Sequence, residues 1–320
     1  MIEAVVIGRV GVDLTPATPR TTLAEADSFV RAVGGFSGNI GTGVARLGIR
    51  TALVSAVGDD GHGEHVRTFL AGEGINVGPI VTRQGSRTQV AFFEAWPPEH
   101  FPVTFYRSSP APEVQLTVAD IPGGMVELAP LVIVSGALLA SEPARSTALR
   151  ILQDRRTSRD RRSVSITIFD LDWRPTLWSD PGEAQALVER AAGMSDVVIG
   201  SDSEFEAVGL RPDVSPDRSP SLVVLKHGPD GVSLVTTAGR RSWPGIAVGV
   251  VCGIGAGDAL TAAFAAGLLR GLDPGRAVER GNAAGAIVAT RLMCSTAMPI
   301  SDEIDQLLAR VAAGPQEATP

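Results

Sequence analysis

The chain has 320 residues, 44% of them hydrophobic and 20% charged, which supplies a sizeable core and argues against disorder. A formal net charge of −7 is the wrong sign for a nucleic-acid surface, and no stretch of about 18 apolar residues is free of charge or repeated glycine, so neither nucleic acid nor a membrane is an expected partner. Two cysteines, Cys252 and Cys294, cannot build a disulfide framework.

In chain order, residues 2–7 form an apolar run of strand length without a basic leader or cleavage site. No signal peptide is expected, and a cytoplasmic location follows. Further runs of strand length and β-branched content occupy 51–57, 131–135, 163–169, 197–199 and 221–226. Helical segments are predicted over 38–47, 62–73, 145–153 and 183–192. Strands alternating with helices predict an α/β fold around a mostly parallel, doubly wound sheet. Ligands in such sheets bind beyond the carboxyl ends of the strands. Residues 85–110 break the pattern: 88–95 and 103–107 read as two extended segments around Trp96-Pro97-Pro98. They predict a hairpin projecting as a small β lid, with 13–22 adding to it. An exposed hairpin face suits pairing with its twin, so a homodimer through the lid is an open expectation. The expected organisation is one domain over 1–312, with lid segments 13–22 and 85–110, and a disordered tail over 313–320. The one basic cluster, Arg155, Arg156, Arg159, Arg161 and Arg162, reads as a solvated helix end and turn.

The chemistry concentrates late in the chain. Gly253-Ile254-Gly255-Ala256-Gly257-Asp258 precedes an alanine- and leucine-rich run, 259–269, that predicts a helix. Glycines there let backbone approach a ligand, and the free N–H groups of a helix start suit an anion. The N–H groups of Gly255, Ala256 and Gly257 would face a transferring phosphoryl group, and Asp258 would take the proton of an attacking hydroxyl. The plainer reading of Asp258 is a helix cap. No Gly-Lys-Ser/Thr follows, so this is not a Walker A loop.

Gly255-Ala256-Gly257-Asp258 resembles the C-terminal signature of the ribokinase-like (PfkB) carbohydrate kinases. Gly34-Gly35-Phe36-Ser37-Gly38-Asn39 is similar to that family's N-terminal marker, and the two occur in the family's order. The resemblance runs from residue 5 to about 304. Within the family, Ile7-Gly8-Arg9-Val10-Gly11-Val12-Asp13-Leu14, Phe105-Tyr106-Arg107, Asp170-Leu171-Asp172-Trp173-Arg174-Pro175 and Lys226-His227-Gly228-Pro229-Asp230-Gly231 look most like the subgroup that phosphorylates a keto acid of myo-inositol breakdown. The resemblance implies a ribokinase-like fold with a β lid, and ATP-dependent, Mg²⁺-assisted transfer to a primary hydroxyl.

It also implies site residues. Asp13, Gly34, Gly35 and Asn39 would bind the sugar. A keto acid needs a cation for its carboxylate, which Arg107 or Arg174 would supply, with Arg9 and Arg31 weaker candidates. Ser201 and Glu204 occupy the family's Asn-x-x-Glu position, with Glu204 expected to hold Mg²⁺ through water. Lys226, Gly228, Gly231 and Asn282 would meet the nucleotide. Cys252 stands where ribokinases commonly have an aspartate that helps hold a monovalent cation, so that requirement is open. Two alternatives stand beside this reading. One is another acceptor within the family, such as fructose, 2-keto-3-deoxygluconate or a nucleoside. The other is a sensor that binds sugar or nucleotide without turnover, which Ser201 and Cys252 would favour.

Overall fold

The computed structural model describes residues 1–158, 164–215 and 219–313. In order, the elements are β1 (Ala4–Ile7), β2 (Gly11–Pro16), β3 (Phe29–Gly34), α1 (Phe36–Arg46), β4 (Thr51–Gly58), α2 (Gly61–Gly72), β5 (Ile80–Arg83), β6 (Val90–Phe93), β7 (Val103–Tyr106), α3 (Met125–Leu128), β8 (Leu131–Ser135) and α4 (Ala144–Thr157). The remainder are β9 (Ile166–Asp170), α5 (Ala184–Ala192), β10 (Val197–Ser201), α6 (Asp202–Ala207), β11 (Leu222–Lys226), β12 (Gly231–Thr236), β13 (Gly239–Pro244), α7 (Ala256–Leu269), α8 (Pro274–Ala289) and α9 (Ser301–Ala313).

Among the described residues the main sheet runs β13-β12-β11-β10-β9-β8-β1-β4-β5. It is parallel from β11 to β5 and ends in the antiparallel strands β12 and β13. The period-2 alternation of strand side chains divides the core between two faces. Ala4 and Val6 pack with Ile40 of α1, Phe264 of α7 and Val278 of α8. Val5 and Ile7 pack on the other face with Leu152 of α4 and Val188 of α5. Because helices cover both faces, the central strands are apolar at nearly every position. From β1 the chain builds towards β4 and β5, and from β8 it builds the other way. The crevice where the strand order reverses therefore opens above the carboxyl ends of β1 and β8.

The lid is a second sheet of order β3-β2-β6-β7. Its outer pairs are antiparallel, and β2 pairs with β6 in parallel. It is built from more of the chain than expected: β2 starts at Gly11, and β3 lies wholly outside the predicted segments. Asp13 and Pro16 hide β2 from composition, and β3 is held by its ladder with β2 before Gly35, at φ of 80°, turns the chain into α1. On the lid, Phe29 and Tyr106 each meet Phe92 edge-on, and Val103, Phe105 and Tyr106 are exposed.

Arg156 is exposed, as the solvated reading expects, but Arg155 differs. Arg155 is 1% exposed and donates to Thr167 Oγ1 and to the carbonyls of Val126, Ala129 and Ile166. Carbonyls at buried loop ends need a donor, and a guanidinium supplies several from one side chain. Arg159, Arg161 and Arg162 lie outside the described residues, as does Ser163, and β9 begins at Ile166. Ala313 closes α9 instead of opening a tail, and 314–320 are outside the described residues. No helix among the described residues is long and apolar enough to cross a membrane.

Candidate active site

The glycine turn forms as a helix start. Gly255 precedes α7 with φ of 87°, a left-handed value that an L side chain rarely adopts. A Cβ there would also come within 3.0 Å of Cys294 Cβ. No side chain caps α7. The Ala256 N–H turns back to the Gly253 carbonyl at 3.3 Å, while those of Gly255 and Gly257 have no protein acceptor among the described residues. Two of the three expected N–H groups are thus free for an anion.

Asp258 lies in the first turn of α7, and Asn39 Nδ2 in α1 donates to its Oδ2 at 2.7 Å. Burial first, and then the charges of Asp172 and Asp170, push its carboxyl up to about 7 against the Asn39 hydrogen bond and Lys226. Asn39 is 4% exposed, and its Oδ1 is buried without a partner, an acceptor aligned with no protein donor. Asp13 in β2 is 7% exposed. Burial raises it to about 6, opposed by a hydrogen bond with Cys294 and by the charge of Arg9. Gly34 lies hard against it: a Cβ at Gly34 would meet the Asp13 carboxylate at 2.0 Å. Gly34 thus gives Asp13 its place, a contact between strands that spacing along the chain does not reveal, while Gly35 packs against the Arg9 carbonyl.

Lys226 ends β11 and bonds Asp170 at 3.3 and 3.2 Å. A Cβ on Gly257 would lie 3.7 Å from its Nζ, so the ammonium sits beside the anion turn. From there a cavity of about 400 Å³ extends along Gly228, Gly231 and Asn282, with Ala256 and Gly257 at one end. Asn282 donates to the Pro244 carbonyl at 2.8 Å. The lid reaches this cavity too, through Pro98, Glu99 and Phe101. The Phe101 ring lies 3.1 Å from where a Gly253 Cβ would be, and it packs with Phe93, Cys252, Ile254 and Met293. This small apolar cluster ties lid to anion turn. Cys252 is buried within it, and burial raises its thiol to about 11, so it stays neutral.

Other expected residues are engaged in contacts of their own. Ser201 and Glu204 form a reciprocal cap on α6. Glu204 accepts from the N–H of Ser201 at 2.7 Å and of Trp173 at 3.0 Å, and neither residue lines the cavity beside Lys226. Among the described residues no group of three or more His, Cys, Asp and Glu is placed to hold a metal ion by itself. Arg174 pairs with Asp172 at 3.1 Å, as does Arg9 at 3.0 Å. Arg107 pairs with Glu113, a residue sequence reasoning passed over and for which no local signal exists. Arg31 is exposed on β3, and His100 is exposed beyond its backbone bridge to Trp96.

A model described as pfkB family carbohydrate kinase matches residues 1–301. The chain is 31% identical over 316 residues to 5-dehydro-2-deoxygluconokinase of Shouchella clausii, covering 96% of this chain and 95% of that protein. An uncharacterized sugar kinase from Pyrococcus horikoshii, solved in complex with ATP, superposes with a TM-score of 0.81 at 25% identity, over 95% of this chain and 99% of that one. Fructokinase from Vibrio cholerae, solved with fructose, ADP and a calcium ion, superposes with a TM-score of 0.80 at 25% identity, over 96% and 99%.

Proposed function

The chain belongs to the pfkB family of carbohydrate kinases and is a sugar kinase, and from that premise we propose that it transfers the γ-phosphoryl group of ATP to the primary hydroxyl of 5-dehydro-2-deoxy-D-gluconate, giving the 6-phosphate, a step of myo-inositol catabolism. The observation that carries the chemistry is Asp258, its carboxyl raised to about 7 and oriented by Asn39, next to free N–H groups at the start of α7.

In this mechanism the acceptor hydroxyl donates to Asp258, which takes its proton as the oxygen attacks phosphorus. A base with a pKa near neutrality is ionised often enough to accept and basic enough to pull. The N–H groups of Gly255 and Gly257 stabilise charge on the moving phosphoryl oxygens without having to reorganise. Lys226 adds a point charge beside them. Asp13 and Asn39 Oδ1 accept from sugar hydroxyls, with Gly34 and Gly35 bringing backbone close. The cavity along Gly228, Gly231 and Asn282 suits a nucleotide, and the relative solved with ATP supports that assignment. A bound divalent ion supplies charge neutralisation on the phosphates. Among the described residues no side-chain cluster is placed to hold such an ion, and Glu204, whose charge reaches Lys226, would accept from water around it. Phe101 and the lid exclude water from the transfer.

The test is ADP release with Mg·ATP across 5-dehydro-2-deoxygluconate, 2-keto-3-deoxygluconate, fructose and nucleosides. The keto acid named first is expected to give the highest kcat/KM. Fructose turned over in its place would keep the kinase and remove this acceptor.

The exposed lid face, with Tyr106 61% exposed beside Phe29, Val103 and Phe105, suits a second copy of this chain. Sedimentation is expected to give a dimer that Tyr106→Asp converts to monomer. A wild-type monomer at micromolar concentration would end that idea.

A further inference from the structure

A second cavity, of about 450 Å³, opens above the carboxyl ends of β1 and β8, where the strand order reverses. Its walls come from four separate parts of the chain: Arg9 after β1, Arg107 and Glu113 at the end of the lid, Ala137 and Leu138 after β8, and Leu177 beyond β9. It is separate from the space along Gly228 and Asn282, and nothing in the mechanism above occupies it.

Arg9 is 4% exposed and has donors to spare. Its Nη2 reaches both oxygens of Asp172, at 3.0 and 3.1 Å, while its Nε is buried with no partner. A guanidinium has five donors in a planar fork, so most of this one remains unused. Asp172 also accepts from Ser135 Oγ at 2.7 Å and pairs with Arg174 at 3.1 Å. Two guanidiniums therefore share one carboxylate. Arg107 and Glu113, by contrast, match one to one. Arg174, 42% exposed, also faces Glu204, Asp258 and Asp170, whereas the buried Arg9 has to share Asp172 with it. A buried guanidinium N–H without an acceptor is unfavourable unless something completes it. Glu113 is 1% exposed, and its Oε2 is a second buried atom without a partner, an acceptor only. Glu142 stands at the rim, exposed, with its carboxylate turned onto the Ser146 N–H.

One ligand chemistry satisfies both orphans: a carboxylate against Arg9 and a neighbouring hydroxyl donating to Glu113. The Arg9 carbonyl accepts from the N–H and Oγ of Ser37 at 2.9 and 2.8 Å, so this wall lies against the start of α1, two residues before the Asn39 that bonds Asp258. We propose that this cavity seats the carboxylate of a hydroxy-acid acceptor, and that Arg9, held by Asp172, is the residue that selects a sugar acid over a neutral sugar. The inference rests on the sugar-acid reading of the acceptor and goes beyond it by assigning the selection to Arg9. Arg107 is already neutralised by Glu113, and its part is to shape the wall. The bland alternative is that Arg9 and Asp172 only pin β1 to β9.

The test compares Arg9→Gln with wild type on 5-dehydro-2-deoxygluconate and on a neutral sugar of similar length, fructose. Calorimetric binding of gluconate, which reports on the site without turnover, accompanies it. A lost hydrogen bond to a charged group is expected to weaken the acid by roughly 10–100-fold. The loss should fall mainly in KM and in gluconate binding, with fructose unchanged or improved. The double variant Arg9→Gln/Asp172→Asn removes both charges and guards against a fold left with a poorly paired Asp172. It should show the same selective loss. If acid and neutral sugar fall together in both variants, or neither falls, Arg9 is only a pin and the inference is overturned while the sugar-acid reading stands. A wild-type enzyme that binds no sugar acid at all overturns both.

Discussion

Replacing Lys226 by methionine is expected to destabilise the fold by about 3–5 kcal/mol, the usual penalty for stripping one partner from a buried ion pair. Asp170 is 2% exposed and accepts from Lys226, from Thr261 Oγ1 at 2.8 Å and from the Asp172 N–H at 3.1 Å. Burial raises its pKa, and the charges of Glu204 and Asp172 add to that, with Lys226 as the main opposing influence. Burial would lower Lys226, yet Asp170, Glu204 and Asp258 together hold it above its ordinary value. Without the ammonium, three carboxylates face one another across the ends of β9 and β10. A raised carboxyl loses stability as pH rises through its folded pKa, so the deficit should be smaller at pH 5 than at pH 8. Urea unfolding measures it, and Lys226→Met/Asp170→Asn should recover most of the loss. A single variant as stable as wild type would mean the pair is not what holds these strand ends.

Asp258→Asn is expected to lower kcat by about 10²–10⁴-fold, because the acceptor proton then has no base. The same variant should be the more stable protein. A carboxyl at about 7 in the fold and 3.8 when free favours the protonated form on folding. The resulting penalty appears above pH 4, is complete above pH 7 and amounts to at most about 4 kcal/mol. Thermal unfolding at pH 8 should show the gain, and at pH 4 the two proteins should coincide. An activity loss accompanied by lower stability would instead mark Asp258 as the partner of Asn39 that holds α7 against α1.

How much of this was legible in the sequence differs from part to part, and for physical reasons. The central strands could be read because both faces are covered, which leaves unbroken apolar runs such as Leu131–Ser135. The turn before Asp258 was legible because glycines ahead of an alanine-rich run combine a local backbone need with a local propensity. The lid was only half legible: β2 and β3 are stabilised by each other and by β6, and Asp13 and Pro16 argue against a strand when read alone. Tertiary pairings left no trace at all. Gly34 against Asp13, Phe101 against Gly253 and Glu113 against Arg107 each join elements far apart or turned by a loop. Arg155 misled because a charged residue in a basic run reads as solvated, whereas buried carbonyls had claimed it. Ser201 and Glu204 kept the expected spacing but use it to cap α6.

The most direct check on the account is the pH profile of kcat/KM for the best acceptor, wild type against Asp258→Asn. Because the ionised carboxylate is the active form, the wild-type rate should fall below an inflection near 7 and level off above it. The residual rate of the variant should lack that inflection. A wild-type profile flat from pH 5.5 to 8.5, or an inflection that survives in Asp258→Asn, would contradict the assignment of Asp258 as the base.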